Sequence, residues 1–201
     1  MKIIGFAYGE FSQVLSLNPN FKPKKKKLKL ILDVTVRKNS TDFSQVLKRA
    51  QSFFPNLQRH NCCSFEQKEK SCFITVDGKT DLAHLTEHIL IDLIAKIKHL
   101  PTCSGITCGY FKPTYRFDLF VECPEEKVGR FCSNLAVFLM KRFIQEKEVS
   151  AKYVRLIDLV EYLERNSSDI NEEKISKDLG LKEKEVFSLV KELRKFQFLQ
   201  N

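Results

Sequence analysis

Two of the chain's four histidines, His84 and His88, stand four residues apart in the segment His84-Leu85-Thr86-Glu87-His88. On an α-helix that spacing stacks both imidazoles on one face, one turn apart, where a single divalent ion can be gripped by both. Glu87 shares the face. The result is H-x-x-E-H, the inverted zincin order in which two histidines bind zinc and the glutamate handles a proton. The chemistry implied is metal-dependent hydrolysis of an amide bond, with Glu87 as the base that takes a proton from water and passes it to the leaving amine. The same five residues also suit the solvated edge of an amphipathic helix. His60 and His99 have no comparable setting and read as structural or surface residues.

The helix that must carry this stripe runs from a cap at Thr80 or Asp81, after the Asp77-Gly78 turn, to about Lys98, where Leu100-Pro101 ends it. Leu82, Leu85, Ile89, Leu90, Leu93, Ile94 and Ile97 surround the stripe with apolar faces. A carboxylate and two imidazoles amid such packing are costly unless paired, hydrogen-bonded or bound to metal. Asp92, one turn beyond His88, is placed to orient an imidazole.

Around that helix the pattern is α+β. A short N-terminal strand leads through the lysine run Lys22-Pro23-Lys24-Lys25-Lys26-Lys27 to a β-rich stretch, Leu28 to Val36. We read the run as a solvated loop between strands rather than a phosphate or polyanion contact. A helix from Asp42 closes at Phe53-Phe54-Pro55-Asn56, because proline forces its predecessor out of the helical region. A hairpin is expected over Cys62 to Phe65 and Ser71 to Val76, and a second over Gly105 to Phe111 and Tyr115 to Cys123. Pro124 suits the first turn of an apolar helix reaching about Ile144.

From residue 151 three amphipathic segments follow, Tyr153 to Arg165, Asn171 to Leu179 and Lys182 to Phe196. The glycine turn at Gly180 gives the last two the spacing of a helix-turn-helix or winged-helix module. The fold expected is therefore an antiparallel sheet with packed helices over 1–148, then a small three-helix unit over 151–201 that can be removed without unfolding the rest.

The formal charge of +9 invites a nucleic-acid reading, but it is unevenly spread. Residues 151–201 hold ten Lys or Arg and ten Asp or Glu, whereas residues 1–150 hold 24 and 15. With a neutral module whose second helix opens Lys182-Glu183-Lys184-Glu185, a protein partner or dimerisation is favoured there over DNA. Seven cysteines without a C-x-x-C pair read as reduced thiols. No apolar run approaches the ~20 residues of a membrane span, and the N-terminus lacks a secretory pattern, so a cytoplasmic location is expected.

Several ordered segments resemble the N-terminal domain of cyanophycin synthetases over roughly residues 1–145. They are Phe54-Pro55-Asn56-Leu57 with His60 and Cys62, Leu82-Ala83-His84-Leu85-Thr86-Glu87-His88-Ile89-Leu90-Ile91-Asp92-Leu93, and Val121-Glu122 before Glu125-Glu126-Lys127-Val128-Gly129-Arg130. The family's helix motif reads like L-A-H-x-x-E-H-x-x-x-E-L, so Asp92 stands where a glutamate is usual. The motif is also similar to that of pitrilysin-type metallopeptidases. The resemblance implies metal-dependent cleavage of a peptide-like polymer. It implies no ligase chemistry, since the segment after residue 150 resembles neither the ATP-grasp nor the Mur-ligase-like domain of those enzymes. The chain departs from the family in the loop Cys103 to Lys112 and in its C-terminal helices.

These readings converge on a hydrolase of peptide or isopeptide bonds, with zinc or a similar divalent ion held by His84, His88 and Glu122. Glu87 is the base, and an acidic peptide-like or polymeric substrate suits the basic first domain. Glu122 is chosen over Asp118, Glu125 and Glu126 for its match to the family's strand-ending glutamate. Strand alternation turns it away from the motif helix, so the choice requires a bulge before Pro124. The alternatives are a DNA-binding regulator whose first domain senses a ligand or metal, and a non-catalytic adaptor.

Overall fold

The computed structural model describes residues 1–35, 42–59, 78–166 and 171–199. Among the described residues four strands form one sheet in the order β1-β2-β4-β3, every neighbouring pair antiparallel: β1 (Lys2–Gly9), β2 (Lys27–Asp33), β3 (Gly105–Gly109) and β4 (Arg116–Glu122). Strand alternation divides the sheet cleanly. Phe117, Leu119 and Val121 of β4 join the main core, whereas Phe120 faces the other way, into a small cluster with Val14 and Phe21 of the N-terminal loop.

The main core lies between the sheet and α1 (Phe43–Phe53), α2 (Gly78–Lys98) and α3 (Glu126–Ile144). Asp42 caps α1 by accepting the Ser44 N–H, and the helix stops before Pro55 as expected. α2 begins at Gly78, ahead of the expected cap, so Asp81 lies inside its first turn, where the helix dipole favours a carboxylate. Likewise Pro124 stands just outside α3, whose N-cap is Glu125. The hairpin expected over 62–76 lies outside the described residues, as does His60. Among the described residues no helix is long and apolar enough to cross a membrane.

Three further helices follow: α4 (Lys152–Arg165), α5 (Glu172–Leu179) and α6 (Glu183–Lys195). They are not set apart by a packing boundary near residue 150, as composition alone suggests. Leu156, Leu159, Val160, Val186, Leu193, Phe196 and Phe198 belong to the same hydrophobic core as the sheet and α2, and Phe131 of α3 meets Phe196 and Phe198 edge to face. The composition change is real, but α4 packs on both α2 and α6 and so joins its module to the first domain's core.

Ion pairs reinforce that seam. Lys98, in the last turn of α2, lies 2.8 Å from Glu164 of α4, and Lys127 of α3 lies 2.7 Å from the same carboxylate, which is 4% exposed. Lys96–Asp158 and His99–Glu161 add two more α2–α4 contacts, which gives His99 the structural place expected of it. Burial alone would raise the Glu164 carboxyl, but the hydrogen bonds from Lys127 and Lys98 outweigh it and hold its pKa below the ordinary carboxylate value. A depressed folded pKa contributes stability that is present above the unfolded value and lost as pH falls through the folded one. Glu164→Gln is therefore expected to lower stability at pH 7 by about 1–3 kcal/mol and to flatten the acid limb of a thermal-melting series below about pH 4.5. An unchanged acid limb would detach Glu164 from the seam.

Candidate metal centre

α2 crosses the sheet on the β3–β4 side, and its inward face carries the motif. His84 Nε2 and His88 Nε2 lie 3.0 Å apart, and the Glu87 carboxylate is 3.7 Å from His84 Nε2. Glu87 and His88 are buried, whereas the His84 side chain is 26% exposed. The helix thus supplies one open and two enclosed donors. Ligand atoms from these three side chains all lie within 4.8 Å of one another, a grouping able to hold a metal ion.

β3 completes the setting from across the groove. The Thr107 hydroxyl donates to Glu87 Oε2 at 3.1 Å. Gly105 lets the backbone approach so closely that a Cβ there would fall 2.4 Å from Glu87 Oε1 and 3.0 Å from Ile91 Cδ1. Neither residue stood out in the sequence; glycine within a β-run was the available signal. The centre opens into two adjoining hollows of about 310 and 550 Å³ that share Asn20, His88, Ile91, Cys103 and Ser104. That is the size of a small-molecule or peptide-segment site.

The structure does not bring Glu122 to the imidazoles. β4 pairs with β2 in continuous register from Arg116 to Glu122, and the Glu122 N–H donates to Ser104 O, so the bulge that would re-aim the side chain is not formed. Glu122 lies on the Phe120 face, the outcome that plain alternation predicts. Its carboxylate accepts the Lys22 N–H at 3.1 Å and stands 4.0 Å from Lys25 Nζ. Its three competitors are engaged elsewhere: Asp118 with Lys29, Glu125 with Lys98 and Glu126 with Arg130.

Glu122 instead helps to fix the lysine-rich loop at the mouth of the groove. Lys27 is buried and donates to the Lys22 and Lys25 carbonyls, while Asn18 donates to Gly105 O and accepts the Asn20 N–H. Lys22, Lys24, Lys25 and Lys26 remain exposed on a loop that is tied down rather than loose. Glu122→Ala is accordingly expected to leave metal content unchanged and to raise proteolysis of the 18–27 loop several-fold, measured by metal analysis beside limited trypsinolysis. A loss of metal in that variant would return Glu122 to the ligand set.

Cys103 lines both hollows, and burial and the nearby Glu122, Cys123 and Glu87 push its thiol well above the usual range, which makes it a poor nucleophile. Cys108, Cys123 and Cys132 are also raised, chiefly by burial, and all four are free thiols.

A four-stranded antiparallel sheet backed by helices, with an H-x-x-E-H stripe on the inner one, defines an α+β domain with a candidate divalent-metal centre. The chain belongs to the cyanophycin synthase-like N-terminal domain family, whose model matches residues 27–145. The match runs from β2 to the end of α3 and contains all three motif residues. No curated protein matches the chain in sequence comparison.

Proposed function

We propose that this protein is a metal-dependent hydrolase of peptide or isopeptide amide bonds. The reading rests on one observation: two imidazoles and a buried carboxylate converge on the floor of a groove. The donor set fits a divalent ion of the zinc type. Two nitrogens sharing tetrahedral zinc through ~2.0–2.1 Å bonds must lie about 3.3 Å apart, within a few tenths of the separation between His84 and His88 Nε2. His84 and His88 are the residues that would hold it. When bound, such an ion supplies Lewis acidity to a carbonyl and brings the pKa of water toward ~7.

The chain's own groups supply the rest. The Thr107 hydroxyl, by donating to Glu87 Oε2, fixes the orientation of the carboxylate. Glu87 can then accept a proton from water and return it to the departing amine. Burial, with Gly105 close against the carboxylate, keeps bulk water from it. The exposed lysines of the 22–26 segment give the mouth a positive field suited to an acidic, peptide-like chain, and the free thiols suit a reducing cytoplasm.

The test is hydrolysis of cyanophycin, together with a panel of peptide- and isopeptide-linked dipeptides. Release of amine should fall to background after chelation and return with one equivalent of zinc. Turnover that survives complete removal of metal would sink the proposal.

A further inference from the structure

The outward face of α6 is rich in exposed cations. α5 and α6 are joined by a tight turn at Gly180, whose left-handed backbone (φ 64°) ends α5, and Asn171 caps α5 by accepting the Lys174 N–H. Val186, Leu189, Val190 and Leu193 form the buried stripe of α6. That stripe fixes which residues point away: Lys184, Phe187, Ser188, Lys191 and Arg194 are exposed, with Lys182 just before them.

The carboxylates of α6 do not share this face equally. Glu185 is drawn to Arg155 of α4, and Glu192 lies 2.9 Å from Lys152 of α4. Both acids are half-buried and neutralised at the α4–α6 seam. Within α6, which is nearly balanced in charge, two of the three acids are thus engaged with α4 while Lys184, Lys191 and Arg194 stay outward. Glu183 is the one exposed acid of the helix. At the centre of the cationic face Phe187 is 62% exposed, a large ring left in water by a helix that buries four other apolar side chains. The helix is held rigidly, because α4 beneath it is clamped to α2 and α3 through Glu164 and Asp158.

We propose that this face of α6 binds double-stranded DNA. The occupant is set by charge and shape. Thirteen helical residues extend about 20 Å, a rod of the diameter that the ~12 Å major groove admits, with cations along it for phosphates and a serine and a ring between them for base edges and thymine methyl groups. Contact is made through α6 alone, since the first turn of α5 carries Glu172 and Glu173.

The proposal is independent of the hydrolase reading and is tested on the full chain by fluorescence anisotropy, using a mixed-sequence duplex of about 20 base pairs at 50 to 200 mM salt. Three phosphate contacts predict a log–log salt slope near −2.7, about 0.9 for each cation engaged. Lys184→Glu with Lys191→Glu should weaken binding at least tenfold and flatten the slope by about 2. Both sites are exposed, and an unchanged thermal melt confirms the fold. Lys24→Ser, Lys25→Ser and Lys26→Ser together, which discharge the loop at the groove, should leave most of the affinity. The proposal is overturned if the unmodified chain fails to bind duplex at 50 mM salt, or if the loop variant abolishes binding that the α6 variant retains. It is likewise overturned if a polyglutamate peptide binds the face while the duplex does not, which would assign it to an acidic protein.

Discussion

Replacing His84 and His88 together by alanine is expected to take bound divalent metal from near one equivalent to background, as read by elemental analysis of the purified protein. Losing an outer-shell partner of a metal ligand already costs 10–100-fold in affinity, so losing both imidazoles leaves no site of useful strength. Stability provides an independent readout. A ligand that binds only the folded state stabilises it by about 2.7 kcal/mol at a hundred times its dissociation constant. The melting temperature of the unmodified chain should therefore rise with zinc, and that of the double variant should not. His88 is buried, and its truncation will lower the baseline through a cavity, but the zinc response is a difference within each protein and is unaffected. Undiminished metal content in the double variant would show that the motif holds none.

Glu87→Gln carries the second large effect. The amide has nearly the shape of the carboxylate and can still accept the Thr107 hydroxyl, so packing against Gly105 and Ile91 should survive. It cannot take a proton from water. Turnover of any amide substrate should fall about 10²–10⁴-fold, the usual worth of a positioned general base, with metal content and melting temperature held. Metal lost along with turnover would make Glu87 a ligand rather than a base; full turnover would remove it from the chemistry.

Much of this site was readable in one dimension because helical spacing is a local property. His84, Glu87 and His88 meet because i, i+3 and i+4 share a face whatever the rest of the chain does. Glu122 shows the opposite case. The period of two places it on the far face of the sheet, and only an assumed bulge pointed it back; the ladder is regular, and alternation prevails. The face of α6 could not be read from charge counts at all. Its acids are consumed by Arg155 and Lys152, some thirty to forty positions earlier, and composition says nothing of direction. For the same reason the change near residue 150 marks where the chain becomes helical throughout, while the apolar core continues across it.

The missing side chain at position 105 has an implication for how such domains diversify. The Glu87 carboxylate on α2 is held in register by empty space on a strand eighteen residues later, so the motif and its setting can be altered separately. A single methyl group at 105 would displace the Glu87 carboxylate while leaving every letter of H-x-x-E-H in place. A lineage could in this way silence turnover yet keep its ion grip, turning a cutting domain into a sensing one. Sorting relatives of this chain into active and inactive by motif alone would then misfile them, and the residue facing Glu87 across the groove would be the better guide.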